Sequence, residues 1–293
     1  MAGRLMALQV EVHGADSLQC QTSQRLSSGG YAVSRADVAL FHEQGFVHLP
    51  GVLSQEELQQ VIEPVYTMFM RNEIPIPGKD LCDMSGAKGR TPDQYTVYNV
   101  MLPRKYYPEW QGNLFERRCQ QIADQLQGGD MAVDYDQILA KRPHSEDAIF
   151  AWHQDMAYWP PHTKETATAT CWLAVSAATL ENGCMRYVPG SHKEKELRKH
   201  EPVGKTREES HALKTILRGG DAVKAWPCKA GDVIVHNERV IHSSGPNLSD
   251  GWRRAYVLAF RKRSTVAEER DMGFSHSHND TVNWDKFHKH GVA

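Results

Sequence analysis

From about residue 130 onward the chain is a series of short runs rich in Val, Ile, Tyr, Trp and Thr, separated by Gly, Pro and Asn turns. They cover 133–141, 149–153, 167–176, 184–188, 222–226, 232–236 and 253–261. Runs this short and closely spaced specify a β-sandwich or barrel. Helical periodicity lies ahead of them. Leu58, Val61, Ile62, Val65, Met68 and Phe69 share one face of a segment over 55–72, which Ser54 and Glu57 open as a capping box. Pro64 inside that segment demands a kink or a restart. Ser34 with Asp37 marks an earlier helix start, Gly45 ends that helix before the short strand Phe46-Val47-His48-Leu49, and 115–126 is a third helix. The expected fold is mainly β with flanking helices: a double-stranded β-helix (jelly roll) with helices packed on one sheet.

One domain over 34–265 accounts for these elements. Residues 1–33 are polar and rich in Ser, Gln and Gly, and read as a loosely held leader. Residues 76–95 lack periodicity and read as a long loop. Residues 266–293 carry His276, His278, His288 and His290 in a polar setting, which reads as a solvated tail more readily than as a second metal site. The formal charge of −2 gives no basic surface for nucleic acid. No apolar run approaches the ~18 residues of a membrane span. Glu11 and His13 interrupt any signal-like start, and Gly-Val-Ala at the end is no peroxisomal address. The six cysteines form no C-x-x-C pair and read as reduced thiols, with Cys171 in the core. A cytoplasmic location is expected.

His153-x-Asp155 places two ligand types on one face of a strand, because side chains alternate there. Read alone, the pair is more often only a hydrogen-bonded couple, and the surrounding pattern is what favours ligation. His242 follows far downstream, at the end of the continuation of the 232–236 strand, and is expected to come from a strand across the barrel. Two imidazoles and one carboxylate with open positions suit non-haem Fe(II) better than a structural zinc, which usually recruits a fourth protein ligand. His236 is expected to hydrogen-bond near this site without ligating. Along 252–260, Arg253, Ala255, Val257 and Ala259 share a small face, whereas Trp252, Arg254, Tyr256, Leu258 and Phe260 share a bulky one. Arg253 is therefore expected to point inward as a bidentate carboxylate clamp, and Arg254 outward into a surface ion pair. Thr168, Thr170, Trp172, Ala174 and Ser176 form a second such face, on which Trp172 is either pocket wall or core.

Over about residues 35–265 the chain resembles the phytanoyl-CoA dioxygenase family of 2-oxoglutarate oxygenases. The matching blocks are Phe41-His42-Glu43-Gln44-Gly45-Phe46-Val47, His153-Gln154-Asp155, Cys171-Trp172-Leu173-Ala174-Val175, Glu181-Asn182-Gly183-Cys184-Met185 with Pro189-Gly190-Ser191-His192, Gly231-Asp232, and His242 with Ser244 and Arg253. The turns in these blocks have structural work: Asn182-Gly183 supplies a tight turn, and His192 reads as a turn or rim residue. The resemblance implies a cupin-like barrel, Fe(II) held by His153, Asp155 and His242, and 2-oxoglutarate and O₂ as co-substrates, with ascorbate helpful in vitro. It places the 2-oxoglutarate clamp at Arg253 and further co-substrate contacts at Trp172, Ser244, Gln137 and Asn99. Some relatives carry a Lys near Asn99, and this chain does not.

The implied activity is oxidation of an unactivated C–H of a small molecule, hydroxylation first, with release of succinate and CO₂. Desaturation and oxidative cyclisation use the same chemistry. The carboxylate at Asp155 argues against halogenation. Tyr158, Trp159, Pro160, Pro161 and His162 are expected to form one rim, and Tyr95, Tyr98, Arg104 and Lys105 another. Such rims suit a carboxylate, an amino acid, a phosphonate or an acyl thioester, and a single chain carries no reading of oligomeric state. Two other classes compete: a catalytically silent jelly-roll binding protein, against which the intact trio speaks, and a cupin-type metal enzyme without 2-oxoglutarate, against which Arg253 speaks.

Overall fold

In a computed structural model, residues 22–87, 89–160, 163, 165–205 and 211–280 are described. A ribbon of β1 (Gln24–Arg25) and β2 (Tyr31–Ala32) leads into α1 (Arg35–Gln44) and β3 (Phe46–Leu49). Then come α2 (Gln55–Glu57), a π-helical turn (Leu58–Ile62) and α3 (Glu63–Met70). β4 (Leu81–Asp83), β5 (Val97–Met101), α4 (Pro103–Tyr106) and α5 (Leu114–Gln127) follow. The remainder is mostly strand: β6 (Met131–Lys141), β7 (Phe150–His153), β8 (Thr168–Ala174), β9 (Met185–Tyr187), β10 (Glu201–Pro202), β11 (Leu213–Lys214), β12 (Lys224–Trp226), β13 (Val233–His236), β14 (His242–Ser244) and β15 (Arg253–Lys262), before α6 (Arg263–Asp271).

Side-chain size along the strands sorts these elements into layers. A seven-stranded sheet in the order β3-β13-β8-β15-β6-β5-β4 packs over a four-stranded sheet, β12-β9-β14-β7, and the recorded pairings are antiparallel. Tyr256, Leu258 and Phe260 of β15 meet the helices in the larger core, with Leu58 and Ile62 from the π-helical turn, Phe69 from α3 and Phe115, Cys119 and Ile122 from α5. The opposite face of the large sheet gives Trp172, Ala174, Ile234, Ala255 and Val257 to a second core shared with Met185 and Tyr187 of the small sheet. This is the jelly roll with helices on one sheet that the strand pattern specifies. Among the described residues no helix is long and apolar enough to cross a membrane.

Local chemistry sets the helix boundaries. Ser54 accepts the Glu57 backbone N–H at 3.1 Å, and the Glu57 carboxylate accepts the Ser54 N–H at 2.8 Å. Glu57 also receives two Arg118 hydrogen bonds, which hold its carboxyl down at about 2. The 55–72 helix does break before Pro64. The chain widens into the π-turn, where Glu63 N–H reaches back to the Leu58 carbonyl, and Pro64 falls in the first turn of α3, where a missing N–H costs nothing.

Three expectations give way. Residues 22–33 are not loose: Tyr31 is buried, its hydroxyl donates to the Pro50 carbonyl, and Gln121 and Gln125 of α5 accept the N–H groups of Tyr31 and Val33. The 76–95 loop contains β4, whose Asp83 accepts the Thr96 and Val97 N–H groups. The expected solvated tail is α6 and a docked segment over 266–280, with Ser277 and His278 tied to Asp80; His288 and His290 lie outside the described residues.

A bulge explains the docking of that segment. Between Ala259 and Phe260 the β15–β6 register shifts past Asp134, whose buried carboxylate takes Arg261, Arg270 and His276. Arg261 also binds Glu269 at 2.5 and 2.7 Å and lies 3.7 Å from the Trp159 ring centroid. Asp134, Glu269 and His276 are close enough to hold a metal ion, but the Arg261 guanidinium stands among them and supplies the positive charge. Arg261→Met would take the Arg partner from buried Glu269 and leave Asp134 to Arg270 and His276, and should cost about 3–5 kcal/mol of unfolding free energy, read by denaturant titration. Gly183, at φ +83, would carry a Cβ 2.3 Å from the Gly245 carbonyl oxygen, whereas Gly128, at φ +75, has open space. Gly128→Ala should cost about 1–2 kcal/mol from the left-handed backbone alone, and Gly183→Ala should lower the thermal midpoint clearly more; equal losses would show that the close approach is relieved at no cost.

Candidate active site

His153 ends β7 and His242 begins β14, and the two residues are paired partners on adjacent strands of the small sheet. Their ring centroids are 4.1 Å apart. Each Nδ1 donates to the backbone carbonyl two residues back: His153 to Ala151 at 2.8 Å, and His242 to Val240 at 3.0 Å. That assigns the proton to Nδ1 and leaves Nε2 with its lone pair. Both Nε2 atoms face the same carboxylate oxygen, Asp155 Oδ1, at 3.0 Å from His153 and 3.4 Å from His242. One donor atom from each residue lies within 4.8 Å of the other two.

The route to this convergence differs from the sequence reading in two ways. Asp155 is not on a strand with His153: β7 stops at His153, and Asp155 opens a 3-10 turn, Asp155–Tyr158. Buried Gln154 fixes that turn, donating to the Arg239 carbonyl at 2.6 Å and accepting the Arg198 N–H at 2.9 Å. Nor does His242 come from across the barrel. The chain leaves the large sheet after His236 and crosses to the small one before His242, so the two histidines are neighbours. His236 stays on β13, and its Nε2 is 3.1 Å from Asp155 Oδ2, the hydrogen-bonding position expected of it.

Burial and charge shape the protonation of this cluster. Burial opposes the Asp155 charge, but the surrounding His242, His153 and His236 imidazoles hold its carboxyl well below the usual carboxylate range. Burial, and then the neighbouring His242, push His153 down. Burial also brings His236 down to about 4. For His242 the Asp155 carboxylate outweighs burial and raises it.

A cavity of about 550 Å³ opens beside the trio between the two sheets, walled by Gln137, Trp172, Ser244, Val257 and Arg253 among others. Arg253 points inward as side-chain parity requires, and Arg254 points out to Glu63 at 2.6 and 2.9 Å. Arg253 Nη2 donates to Ser244 Oγ at 3.3 Å, while its Nε and Nη1, both buried, have no hydrogen-bond partner among the described residues. Burial pulls the guanidinium down to about 10, and no carboxylate pairs with it among the described residues. Orphaned donors on a buried cation suit an incoming carboxylate. Trp172 proves to be both core and wall: it packs with Phe46 and Tyr187, and its ring centroid is 5.4 Å from Arg253 Cζ.

Gln137 lines the cavity, but Asn99 does not. Asn99 lies one strand further out on β5, where its side chain accepts Gln137 Nε2 at 2.5 Å and donates to Cys82 Sγ. The second rim also dissolves. Tyr98 faces the helices and donates to the Phe69 carbonyl, and Arg104 is held by Glu116 and Asp136. Of the first rim, Tyr158 stands edge-on to His153 at 6.0 Å, Trp159 is buried on Arg261, and Pro161 and His162 lie outside the described residues. Lys141, Tyr135 and Phe150 also line the cavity and were not anticipated. Lys141 shares strand parity with Gln137, which is the signal that could have found it.

The profile of the family described as phytanoyl-CoA dioxygenase (PhyH) matches residues 41–255. Phytanoyl-CoA dioxygenase domain-containing protein 1 of Bos taurus is 31% identical over 262 residues, covering 77% of this chain and 89% of the relative. Its homolog in Dictyostelium discoideum is 36% identical over 112 residues, and the alignment spans 37% of this chain and only 39% of that protein. Among solved structures, EvdO2 from Micromonospora carbonacea var. aurantiaca complexed with 2-oxoglutarate is similar at TM-score 0.63 and 28% identity, over 78% of this chain and 91% of that one. The chain belongs to the phytanoyl-CoA dioxygenase family, a family of Fe(II)- and 2-oxoglutarate-dependent oxygenases.

Proposed function

We propose that this oxygenase hydroxylates an unactivated C–H of a small molecule while converting 2-oxoglutarate and O₂ to succinate and CO₂, with His153, Asp155 and His242 as its iron ligands and Arg253 as its co-substrate clamp. The observation that carries the reading is the pair of Nδ1–carbonyl hydrogen bonds, which turns both Nε2 atoms toward one Asp155 oxygen. Iron, when bound, supplies the activation of O₂ and the oxidising power for C–H cleavage. His236 donates to the Asp155 oxygen that the other two imidazoles leave free and so orients the carboxylate. Arg253 and Ser244 hold the far carboxylate of 2-oxoglutarate, and Trp172 limits where its chain can lie. Val97, Leu139, Phe150, Met185 and Val257 give the cavity an apolar side that excludes water and accepts hydrocarbon. Asp155 fills the position that halogenation would need open.

The substrate is drawn from carboxylates, amino acids, phosphonates and acyl thioesters. Hydroxylation, desaturation and oxidative cyclisation draw on the same trio and clamp, and hydroxylation is the simplest outcome. In a metabolite screen a mass gain of one oxygen supports it, whereas loss of two hydrogens points to desaturation or oxidative cyclisation. The free, mostly buried thiols of Cys82, Cys119, Cys171, Cys184 and Cys228 suit a reducing compartment, the cytoplasm.

With Fe(II), ascorbate and O₂, the purified protein should form succinate from 2-oxoglutarate, and His153→Ala and Asp155→Ala should abolish it. A variant that retains wild-type turnover removes that residue from the ligand set, and no succinate from the intact chain would favour a silent binding protein. Arg253→Ala should raise the apparent KM for 2-oxoglutarate about ten- to a hundred-fold, the loss of a charged hydrogen-bond pair. An unchanged KM would dismiss the clamp.

A further inference from the structure

The β4 edge of the large sheet gathers three soft donors that the oxygenase chemistry does not use. Cys82 lies on β4 and Met84 follows two residues later, so their side chains leave the same face. The Met84 N–H still continues the ladder, donating to the Val97 carbonyl at 3.0 Å. Cys82 Sγ is 3.7 Å from Met84 Sδ and 3.6 Å from His278 Nδ1. Donor atoms bonded to one ion at about 2.0–2.3 Å and spread around it stand about 3.5–4 Å apart, and these contacts have that spacing.

The donors are held from outside the cluster. Pairing of β4 with β5 sets Cys82 opposite Asn99, whose Nδ2 donates to Cys82 Sγ at 3.3 Å. Gln137 orients that amide by donating to its oxygen. Such a donor is matched better to a thiolate than to a thiol. His278 comes from the segment beyond α6. Asp80 accepts its backbone N–H at 2.6 Å and the Ser277 hydroxyl at 2.7 Å. The His278 ring stacks on His211 with 4.0 Å between centroids. Its Nδ1 also faces the Lys79 carbonyl at 3.2 Å, so the uncoordinated ring carries its proton there, and coordination moves that proton to Nε2. The nearby carboxylates are committed: Asp83 to Arg90 and to the Thr96 and Val97 N–H groups, Asp80 to Tyr106, Ser277 and His278. Burial pushes the Cys82 thiol up to about 12, so a strongly thiophilic ion is needed to displace its proton. Thiolate, thioether and imidazole together are a soft set that suits Cu(I).

We propose that Cys82, Met84 and His278 form a three-coordinate Cu(I) site, separate from the His153, Asp155 and His242 trio. On binding, the Cys82 S–H bond gives way to a copper–thiolate bond, the proton passes to solvent and no atom changes oxidation state. Because β4 is the last strand of its sheet and His278 belongs to the docked C-terminal segment, the ion ties that segment to the sheet edge. The competing role is a hydrogen-bonded thiol packed on Met84, which takes no metal.

The full chain, loaded with Fe(II) under anaerobic conditions, is titrated with Cu(I) against bicinchoninate as the competing chelator. Wild type, Cys82→Ser, Met84→Leu and His278→Gln are compared, with bound iron assayed before and after. The wild type should withdraw one Cu(I) per chain from the chelator and keep its iron. Cys82→Ser should abolish that binding, and Met84→Leu and His278→Gln should each weaken it about tenfold or more. Met84→Leu nearly conserves volume and His278 is half-buried, so these two variants carry the test if Cys82→Ser does not fold. No withdrawal of Cu(I), or release of iron as copper binds, overturns the proposal. So does a smaller fall in either Met84→Leu or His278→Gln, which marks adventitious binding at another thiol.

Discussion

Two imidazoles on paired strands each give the Nδ1 proton to the carbonyl two residues back, and the rest of the site depends on that arrangement. It decides which nitrogen is free and where that nitrogen points. Because the bonds run to backbone, ring orientation is as rigid as the small sheet. Asp155 then has to come to them, and it does so through a turn that Gln154 fixes from both sides. His236 reaches the remaining carboxylate oxygen from the large sheet, so the Asp155 carboxylate joins the two layers.

The cavity exists because bulk is distributed unequally between the faces of the large sheet. Tyr256, Leu258 and Phe260 go to the helices, while Ala255 and Val257 leave room between the sheets. Into that room the protein places Arg253 and Lys141, and among the described residues no carboxylate pairs with either. Leaving cations buried and unpaired costs stability, and an anion bound beside them would offset that cost. Around Arg261, by contrast, the buried guanidinium has carboxylate partners in Asp134 and Glu269. The same buried cation meets carboxylates at one site and, among the described residues, none at the other.

Much of this was legible from local pattern. The Ser54–Glu57 box, the break before Pro64, the inward turn of Arg253 and the outward turn of Arg254 all follow from nearest neighbours and strand parity, which act over a few residues. Other features depended on distant partners. Asn99 carries the right chemistry for a pocket and shares a strand with the cavity-lining Val97, but its side chain is taken up by Gln137 and Cys82. Residues 22–33 and 266–280 look loose by composition and are held by Gln121, Gln125, Asp80 and Asp134, none of them near in sequence.

The sequence by itself determined the residue types of the His153, Asp155 and His242 trio, the alternating faces of the barrel strands and the inward direction of Arg253, since these need only the periodicity of a strand and the chemistry of a side chain. Tertiary structure alone decided that His153 and His242 are strand neighbours rather than opposite walls, that Asp155 arrives on a turn, and that Lys141 stands beside Arg253. Each of those is a matter of which strands pair and in what register, and pairing is set by packing between segments far apart in the chain.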